Sequence, residues 1–158
     1  MKIIYYPLAL IISAFLTGLA HQPIHLGWLA WFGLLPLIFV YNRITELRHF
    51  IITGLIWGFT YYLTIIFWLA FNIGLTPLWG FISMILAVSI MTLNIILVSI
   101  LMGILKNIYP KTWFWFFPFV WISIEYLRSI GSMGFPWTSL ANTQIDFLTL
   151  AQNAEICG

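Results

Sequence analysis

Charge and cysteine are what this chain has least of. Only 6% of its 158 residues are charged, whereas soluble domains carry about 25%. The net charge of +2 is too small and too dispersed to form a nucleic-acid-binding surface. A single cysteine, Cys157, excludes an internal disulfide. Because 63% of the residues are hydrophobic, a water-soluble globule is excluded too, and we expect the chain to lie in a lipid bilayer.

Long apolar segments make up most of the sequence. A helix that crosses the hydrocarbon core needs about 20 mostly apolar residues, and five segments come close enough to that length to qualify. A sixth begins near Phe147 and is cut off at Gly158. The sequence therefore predicts an all-α polytopic membrane protein with five transmembrane helices and the start of a sixth. The five segments are Ile3–Ala20, Leu26–Tyr41, Phe50–Phe71, Leu78–Leu105 and Trp113–Ile130.

The second of these segments, Leu26–Tyr41, leaves an alternative open. It is short and contains Gly27, Gly33 and Pro36, which would also suit a re-entrant hairpin. A true span is favoured, because irregular backbone exposed to lipid is not tolerated within the hydrocarbon core.

The distribution of basic residues predicts the orientation. Basic residues in short loops stay on the cytoplasmic side. All but one of the basic residues fall at the N-terminus and in two loops that alternate to the same side, so we expect a cytoplasmic N-terminus. Arg128 is the exception, and the loop at Gly131–Asp146 then faces outward. The residues on the cytoplasmic side are Lys2, Arg43, Arg48, Lys106 and Lys111.

Small and polar residues inside the spans predict helix packing rather than chemistry. Gly54 and Gly58 lie four residues apart, a spacing that lets another helix approach closely. Asn94, Tyr61 and Tyr62 are expected to hydrogen-bond neighbouring helices.

Two histidines, His21 and His25, lie four residues apart and resemble a metal-binding pair. No Cys, Asp or Glu is near them in sequence to complete a site. We therefore expect ordinary loop histidines and no metal.

The stretch from Glu125 to Gln144 is the part of the chain that membrane crossing does not explain. Glu125 lies near the outer end of the fifth segment, and Arg128 follows on the same helix face. The two side chains could simply neutralise each other as an intrahelical pair. Alternatively they face an outer-leaflet cavity, in which the guanidinium could hold a lipid phosphate. The second interpretation is favoured because ionisable residues within membranes are usually functional.

A loop broken by glycine and proline follows. Gly131 and Gly134 permit positive φ, and Pro136 prevents the helix from continuing. We expect a sharp turn that presents Phe135 and Trp137 at the outer interface, where aromatic residues also serve as ordinary anchors.

Several short motifs lie in a fixed order along nearly the whole chain. The earlier ones are individually weak: Pro23, Gly27–Trp31, Leu35–Leu37, Gly54–Phe59, Phe67–Trp68 and Tyr109–Lys111. The specific combination comes last: Glu125, Arg128, Gly134, Phe135, Pro136, Trp137 and Gln144. With these residues in this order, the chain resembles the N-terminal membrane domain of the apolipoprotein N-acyltransferase family.

The resemblance implies an acyl transfer in the bacterial inner (plasma) membrane. An acyl chain passes from a phospholipid to an enzyme cysteine as a thioester, and then to the N-terminal amine of a diacylglyceryl apolipoprotein. In the family, the catalytic Glu, Lys and Cys belong to a carbon–nitrogen hydrolase domain that follows the membrane helices. We therefore expect residues 1–158 to be the transmembrane domain alone, without catalytic residues, cofactor or metal.

Because the motif residues of the last segment cluster on the outer face beside a broken loop, we expect them to have a docking role. They would line a lateral opening for the phospholipid donor and the apolipoprotein acceptor, and they are Glu125, Arg128, Gly134, Phe135, Pro136, Trp137 and Gln144. One alternative is a non-catalytic membrane scaffold that binds lipid or a partner. Another, a small transporter subunit, is weakened because midplane ionisable residues and matching half-repeats are missing from the sequence.

Overall fold

The computed structural model describes residues 5–21, 23–24, 26–74, 76–130 and 135–152, and only the backbone of Tyr5, Trp137 and Leu150. Throughout these ranges the chain forms helices and turns without a strand, which confirms the all-α prediction. The α-helices are α1 (Tyr5–Leu19), α2 (Ala30–Gly33), α3 (Leu35–Arg43), α4 (Leu47–Ile66), α5 (Pro77–Ile108), α6 (Phe117–Ser129) and α7 (Leu148–Ala151). Of the residues singled out above, those outside the described ranges are Lys2, His25, Gly131, Gly134 and Cys157.

Two helical stretches among the described residues are long and apolar enough to cross a membrane. They are Leu47–Phe71, which is α4 with the 3-10 turn that follows it, and the 32-residue helix α5. Helix α1 has 15 residues and α6 has 13, which at about 1.5 Å per residue is shorter than a hydrocarbon core of about 30 Å. Two of the five predicted spans therefore correspond to long helices, and the remaining three stay predictions.

The second predicted segment is not one continuous helix. A 3-10 turn at Gly27–Leu29 leads into the single turn of α2, and α3 begins separately at Leu35. The interruption has a local cause in Pro36, which lacks an N–H and whose ring would clash with the carbonyl one turn earlier in an unbroken helix. In the second position of α3 the same proline is tolerated, because that N–H has no partner within the helix.

Helices α4 and α5 pack closely along the glycines of α4. A Cβ atom added to Gly58 would lie 2.9 Å from the Cβ of Ile95, and one added to Gly54 would collide with the hydroxyl of Ser99. Side chains at these two positions would force the helices apart. The predicted close approach of another helix at Gly54 and Gly58 is confirmed.

An aromatic cluster occupies the centre of the bundle. Trp57 of α4 is fully buried, stacks on Tyr61 at 4.7 Å between ring centroids and meets Trp121 of α6 edge-on at 5.7 Å. Its indole Nε1 donates to Ser13 Oγ of α1 at 3.0 Å. The cluster thus fixes α1, α4 and α6 against one another.

A lysine in the last turn of α5 caps the C-terminal end of α3. Lys106 of α5 donates from Nζ to the carbonyl oxygens of Tyr41, Asn42 and Ile44, at 2.8, 2.9 and 2.7 Å. The last carbonyls of a helix lack partners within it, and a cation there also complements the helix dipole. Lys106 therefore has a structural role in joining α5 to α3.

Candidate functional site

The segment from Phe135 to Gln144 folds back over the end of α6. It contains two 3-10 turns, Pro136–Thr138 and Leu140–Gln144, separated by an extended Ser139. The Phe135 N–H donates to the carbonyl oxygen of Arg128 at 3.2 Å, which satisfies an orphan carbonyl of the last turn of α6. We call residues 135–144 the docked segment.

Glu125 binds the start of the second turn of the docked segment. Its carboxylate accepts from Ser139 Oγ at 2.9 Å through Oε2, and from the Leu140 N–H at 2.9 Å through Oε1. Leu140 is the first residue of that turn, where backbone N–H groups have no partner within the turn and a negative charge is favourable. Glu125 of α6 therefore caps the N-terminal end of this 3-10 turn, although it is far from the turn in sequence.

Arg128 binds the same segment through a different residue. Its Nη1 donates to the hydroxyl of Thr138 and to the hydroxyl of Tyr62, the latter at 3.0 Å. The guanidinium also lies over the Tyr62 ring, 5.9 Å from its centroid. Among the ion pairs of the described residues there is none between Arg128 and Glu125. The intrahelical pair, one of the two interpretations of the sequence, is not formed.

Gln144 joins the docked segment to the start of the second predicted span. Its Oε1 accepts from Trp31 Nε1 at 3.0 Å, and its Nε2 donates to the carbonyl oxygen of Gly27 at 3.0 Å. Gly27 is required by this approach, because a Cβ there would collide with the backbone carbonyl of Thr143. The amide therefore holds together two parts of the chain that are 117 residues apart.

A buried histidine completes the base of the site. His21 is only 5% exposed, and its Nε2 lies 2.8 Å from the hydroxyl of Tyr61, which donates to the Thr138 carbonyl oxygen at 3.3 Å. Burial, and secondarily the charge of Arg128, lower the pKa of His21 to about 4, so the ring is neutral at neutral pH. His21 lies in the loop after α1, as expected, but it is buried there because the docked segment and α4 enclose it.

Tyr62 accepts from Arg128 of the neighbouring helix α6, as predicted. Tyr61 instead bonds to His21 in the loop after α1 and to the Thr138 carbonyl oxygen of the docked segment, so its predicted bond to a neighbouring helix is not formed.

The Nδ2 of Asn94 donates to the Met91 carbonyl oxygen of its own helix at 3.1 Å. The predicted bond from this amide to a neighbouring helix is therefore not formed. A side chain inside a helix can reach the carbonyl of the preceding turn without any partner helix.

Two cavities flank the docked segment. One, of about 370 Å³, has His21, Phe135, Thr138 and Asn142 in its wall. The other, of about 310 Å³, has Glu125 and Gln144 at its edge. The remaining walls are apolar: Ile65, Ile66, Trp68 and Ile145 in the first, and Ala30, Trp31, Trp121, Ile122, Leu140 and Ala141 in the second. Apolar walls with a few polar groups, in this range of volume, are typical of small-molecule and lipid-chain sites.

The predicted site residues do not all lie in one cavity. Glu125 and Gln144 line the second cavity and Phe135 the first, whereas Pro136 is exposed at the surface of the docked segment. The side chain of Trp137 is outside the described part of the structure, as is Gly134. Within the described ranges, no three His, Cys, Asp or Glu side chains are placed to hold a metal ion.

His21, Tyr61, Tyr62 and Thr138 were not expected in the site. Their contacts join positions between 10 and 77 residues apart, and no local spacing in the sequence signals such pairing. The polarity of His21 beside one apolar span, and of Tyr61 and Tyr62 within another, was the one available sign.

The fold and the site together define a helical membrane-type domain whose polar segment is docked on the bundle by α6 side chains. A sequence model of the apolipoprotein N-acyltransferase N-terminal domain matches residues 13–158. The chain therefore belongs to that family, as the motifs predicted. An apolipoprotein N-acyltransferase of Geobacter metallireducens (strain ATCC 53774 / DSM 7210 / GS-15) is 25% identical over 154 residues, which cover 94% of this chain and 29% of that relative. The chain thus spans less than a third of the relative's length.

Proposed function

We propose that this chain is the membrane-embedded part of an apolipoprotein N-acyltransferase, and that it anchors the enzyme and docks its lipid substrates. The observation that carries this proposal is the docked segment, which Glu125, Arg128 and Gln144 fasten between two apolar cavities. Membership of the family supports the reaction class, namely transfer of an acyl chain from a phospholipid to the amine of a diacylglyceryl apolipoprotein.

The residues of the site favour substrate docking in this domain and catalysis elsewhere. Acyl transfer needs a nucleophile, a general base and groups that stabilise an oxyanion. Glu125, the acid of the site, is committed to the Ser139 hydroxyl and the Leu140 N–H, so its geometry suits holding the segment rather than transferring a proton. The catalytic Glu, Lys and Cys are proposed to reside in a carbon–nitrogen hydrolase domain outside residues 1–158.

The cavity beside Glu125 and Gln144 is proposed to receive an acyl chain. Its wall is formed by side chains such as Ile122 and Ala141, and an alkyl chain placed there is shielded by apolar atoms while its ester end stays near the polar edge. The docked segment, with Phe135 and Pro136, forms the edge past which a lipid would enter from the membrane. Gly134 and Trp137 belong to the same proposed opening by their places in the sequence.

The proposed setting is the bacterial inner membrane, crossed five times with the N-terminus inside. Support comes from α4 and α5, which are long enough to span, and from Arg43, Lys106 and Lys111, which lie at the end of the bundle opposite the docked segment. Short loops rich in lysine and arginine favour the cytoplasmic side.

The test is an acyl-transfer assay on the full-length protein that contains this domain, with a labelled phospholipid and a diacylglyceryl lipopeptide. Ala141→Trp fills the proposed acyl cavity and is expected to lower kcat/KM at least about tenfold, roughly 1.4 kcal/mol. Ala151→Trp, an equally exposed alanine that lines neither cavity, is the matched control and is expected to change little.

Two outcomes would contradict the proposal. Equal activity of both variants would exclude the cavity as the docking site. A full-length protein that transfers no acyl chain yet still binds lipid or a partner would favour the scaffold alternative.

A further inference from the structure

Three buried donor nitrogens of α6 have no hydrogen-bond partner among the described residues. Trp121 Nε1, Arg128 Nε and Arg128 Nη2 are inaccessible to solvent and make no hydrogen bond within the described part of the chain. Trp121 as a whole is only 5% exposed. Buried donors are almost always bonded, to protein or to an ordered water, so three of them on one helix require an explanation.

The two side chains that carry these donors line one void between helices. Trp121, Glu125 and Arg128 are spaced four and three residues apart, and therefore share one face of α6. Asn94 of α5 and Tyr62 of α4 close the void from the other helices. Its volume is about 10 Å³, about the space that one water molecule needs and too little for a lipid chain.

A single water can accept two hydrogen bonds and donate two, so it can satisfy one donor of Trp121 and one of Arg128 while it donates to two acceptors. Trp121 and Arg128 supply only donors, whereas Glu125 and the Asn94 carbonyl supply acceptors. Asn94 uses its Nδ2 on Met91, which leaves its Oδ1 available within the described structure. The Glu125 carboxylate accepts one bond on each oxygen and has lone pairs left. An anion would be attracted by Arg128 but repelled by Glu125, whereas water can accept from the first and donate to the second.

We propose that the void binds a single ordered water that bridges Arg128 and Trp121 to Glu125 and Asn94. The acid and base of α6 are then coupled through this water rather than by direct contact. Such a bridge gives the Glu125 and Arg128 charges a hydrogen-bond partner inside the bundle, where burying a charge without partners costs free energy. This inference stands on the void and its donors and does not depend on the proposed acyl transfer.

A crystal structure of the chain grown from a lipid mesophase, at about 2 Å resolution or better, tests the proposal directly. The expected result is one density peak within hydrogen-bond distance of Trp121 Nε1, of an Arg128 nitrogen and of an acceptor. An empty void would overturn the proposal. An anomalous peak in that void after replacement of chloride by bromide would overturn it too, because the occupant would be a halide.

The hydrogen bonding of the Trp121 N–H gives a second, independent measurement in solution. Ultraviolet resonance Raman difference spectra between the unaltered chain and Trp121→Phe isolate the indole N–H bands of this one tryptophan. A bonded N–H is expected. The matched reference is Trp57→Phe, since Trp57 is equally buried and donates to Ser13 Oγ. A Trp121 band typical of a free N–H, next to a bonded band for Trp57, would overturn the proposal.

Discussion

Glu125 and Arg128 lie three residues apart on α6, yet each binds the docked segment instead of the other. Glu125 accepts from Ser139 and Leu140, and Arg128 donates to Thr138, so the two charges contact three consecutive residues. These bonds hold both side chains against the docked segment. Their arrangement favours a positioning role, in which they set the shape of the cavities on either side.

Removing the charge of Glu125 should loosen the docked segment. In Glu125→Gln, the side chain offers one acceptor oxygen instead of two, so either Ser139 or Leu140 loses its bond. We expect a loss of about 1–3 kcal/mol in stability, measured by thermal unfolding in detergent, with faster hydrogen exchange at the Leu140 amide. Glu46→Gln is the control: its partners Arg48 and His49 are at the surface, and such pairs contribute about 0–1 kcal/mol. Equal effects of both variants would contradict the capping role.

The closeness of Gly27 to the docked segment leads to a second prediction. In Gly27→Ala, the new methyl group meets the Thr143 carbonyl and must displace one of the two segments. Such overpacking costs about 1–3 kcal/mol, and limited proteolysis should cut more readily near Leu140–Gln144. Gly74→Ala is the matched control, because among the described residues its Cβ would meet nothing nearer than Asn72 Oδ1 at 3.9 Å. A normal unfolding midpoint for Gly27→Ala would show that this approach is not tight.

The buried state of His21 predicts a dependence on pH. Because its folded pKa is lowered to about 4, the unfolded chain binds a proton at pH values where the folded chain does not. Stability should therefore be constant well above pH 6.5 and fall as the pH drops toward 4, by up to about 1.4 kcal/mol per pH unit. Unfolding midpoints across this range measure the slope. His21→Gln should have a smaller slope, and an unchanged one would assign the effect to other groups.

The cap that Lys106 forms on α3 predicts an effect at the opposite end of the bundle. Lys106→Met keeps much of the apolar stem but leaves the carbonyls of Tyr41, Asn42 and Ile44 without this donor. We expect a loss of about 1–3 kcal/mol in thermal stability, with unchanged exchange at Leu140. Lys111→Met is the control, because Lys111 is exposed and makes no hydrogen bond or ion pair with the described residues. If both variants unfold alike, the cap contributes little.

Residue type and spacing along the chain were enough to predict the class of fold and the family, and the apolar composition predicts a lipid setting. Apolar composition requires lipid or a buried setting, the Gly54–Gly58 spacing predicts a close helix contact, and the ordered motifs from Glu125 to Gln144 predict the family. These are local properties, because helix periodicity and residue type are visible within a few turns of chain. The same local signal also located the part of the chain that membrane crossing does not explain.

Which residues contact one another depends on the packing of the folded chain. Whether Glu125 pairs with Arg128 or with Ser139 depends on where residues 135–144 pack against α6. No local pattern in the sequence indicates that position. The contacts of His21 with Tyr61 and of Gln144 with Gly27 join positions 40 and 117 residues apart. Spacing along a helix shows which face a side chain occupies, whereas the partner on that face is set by the packing of other helices.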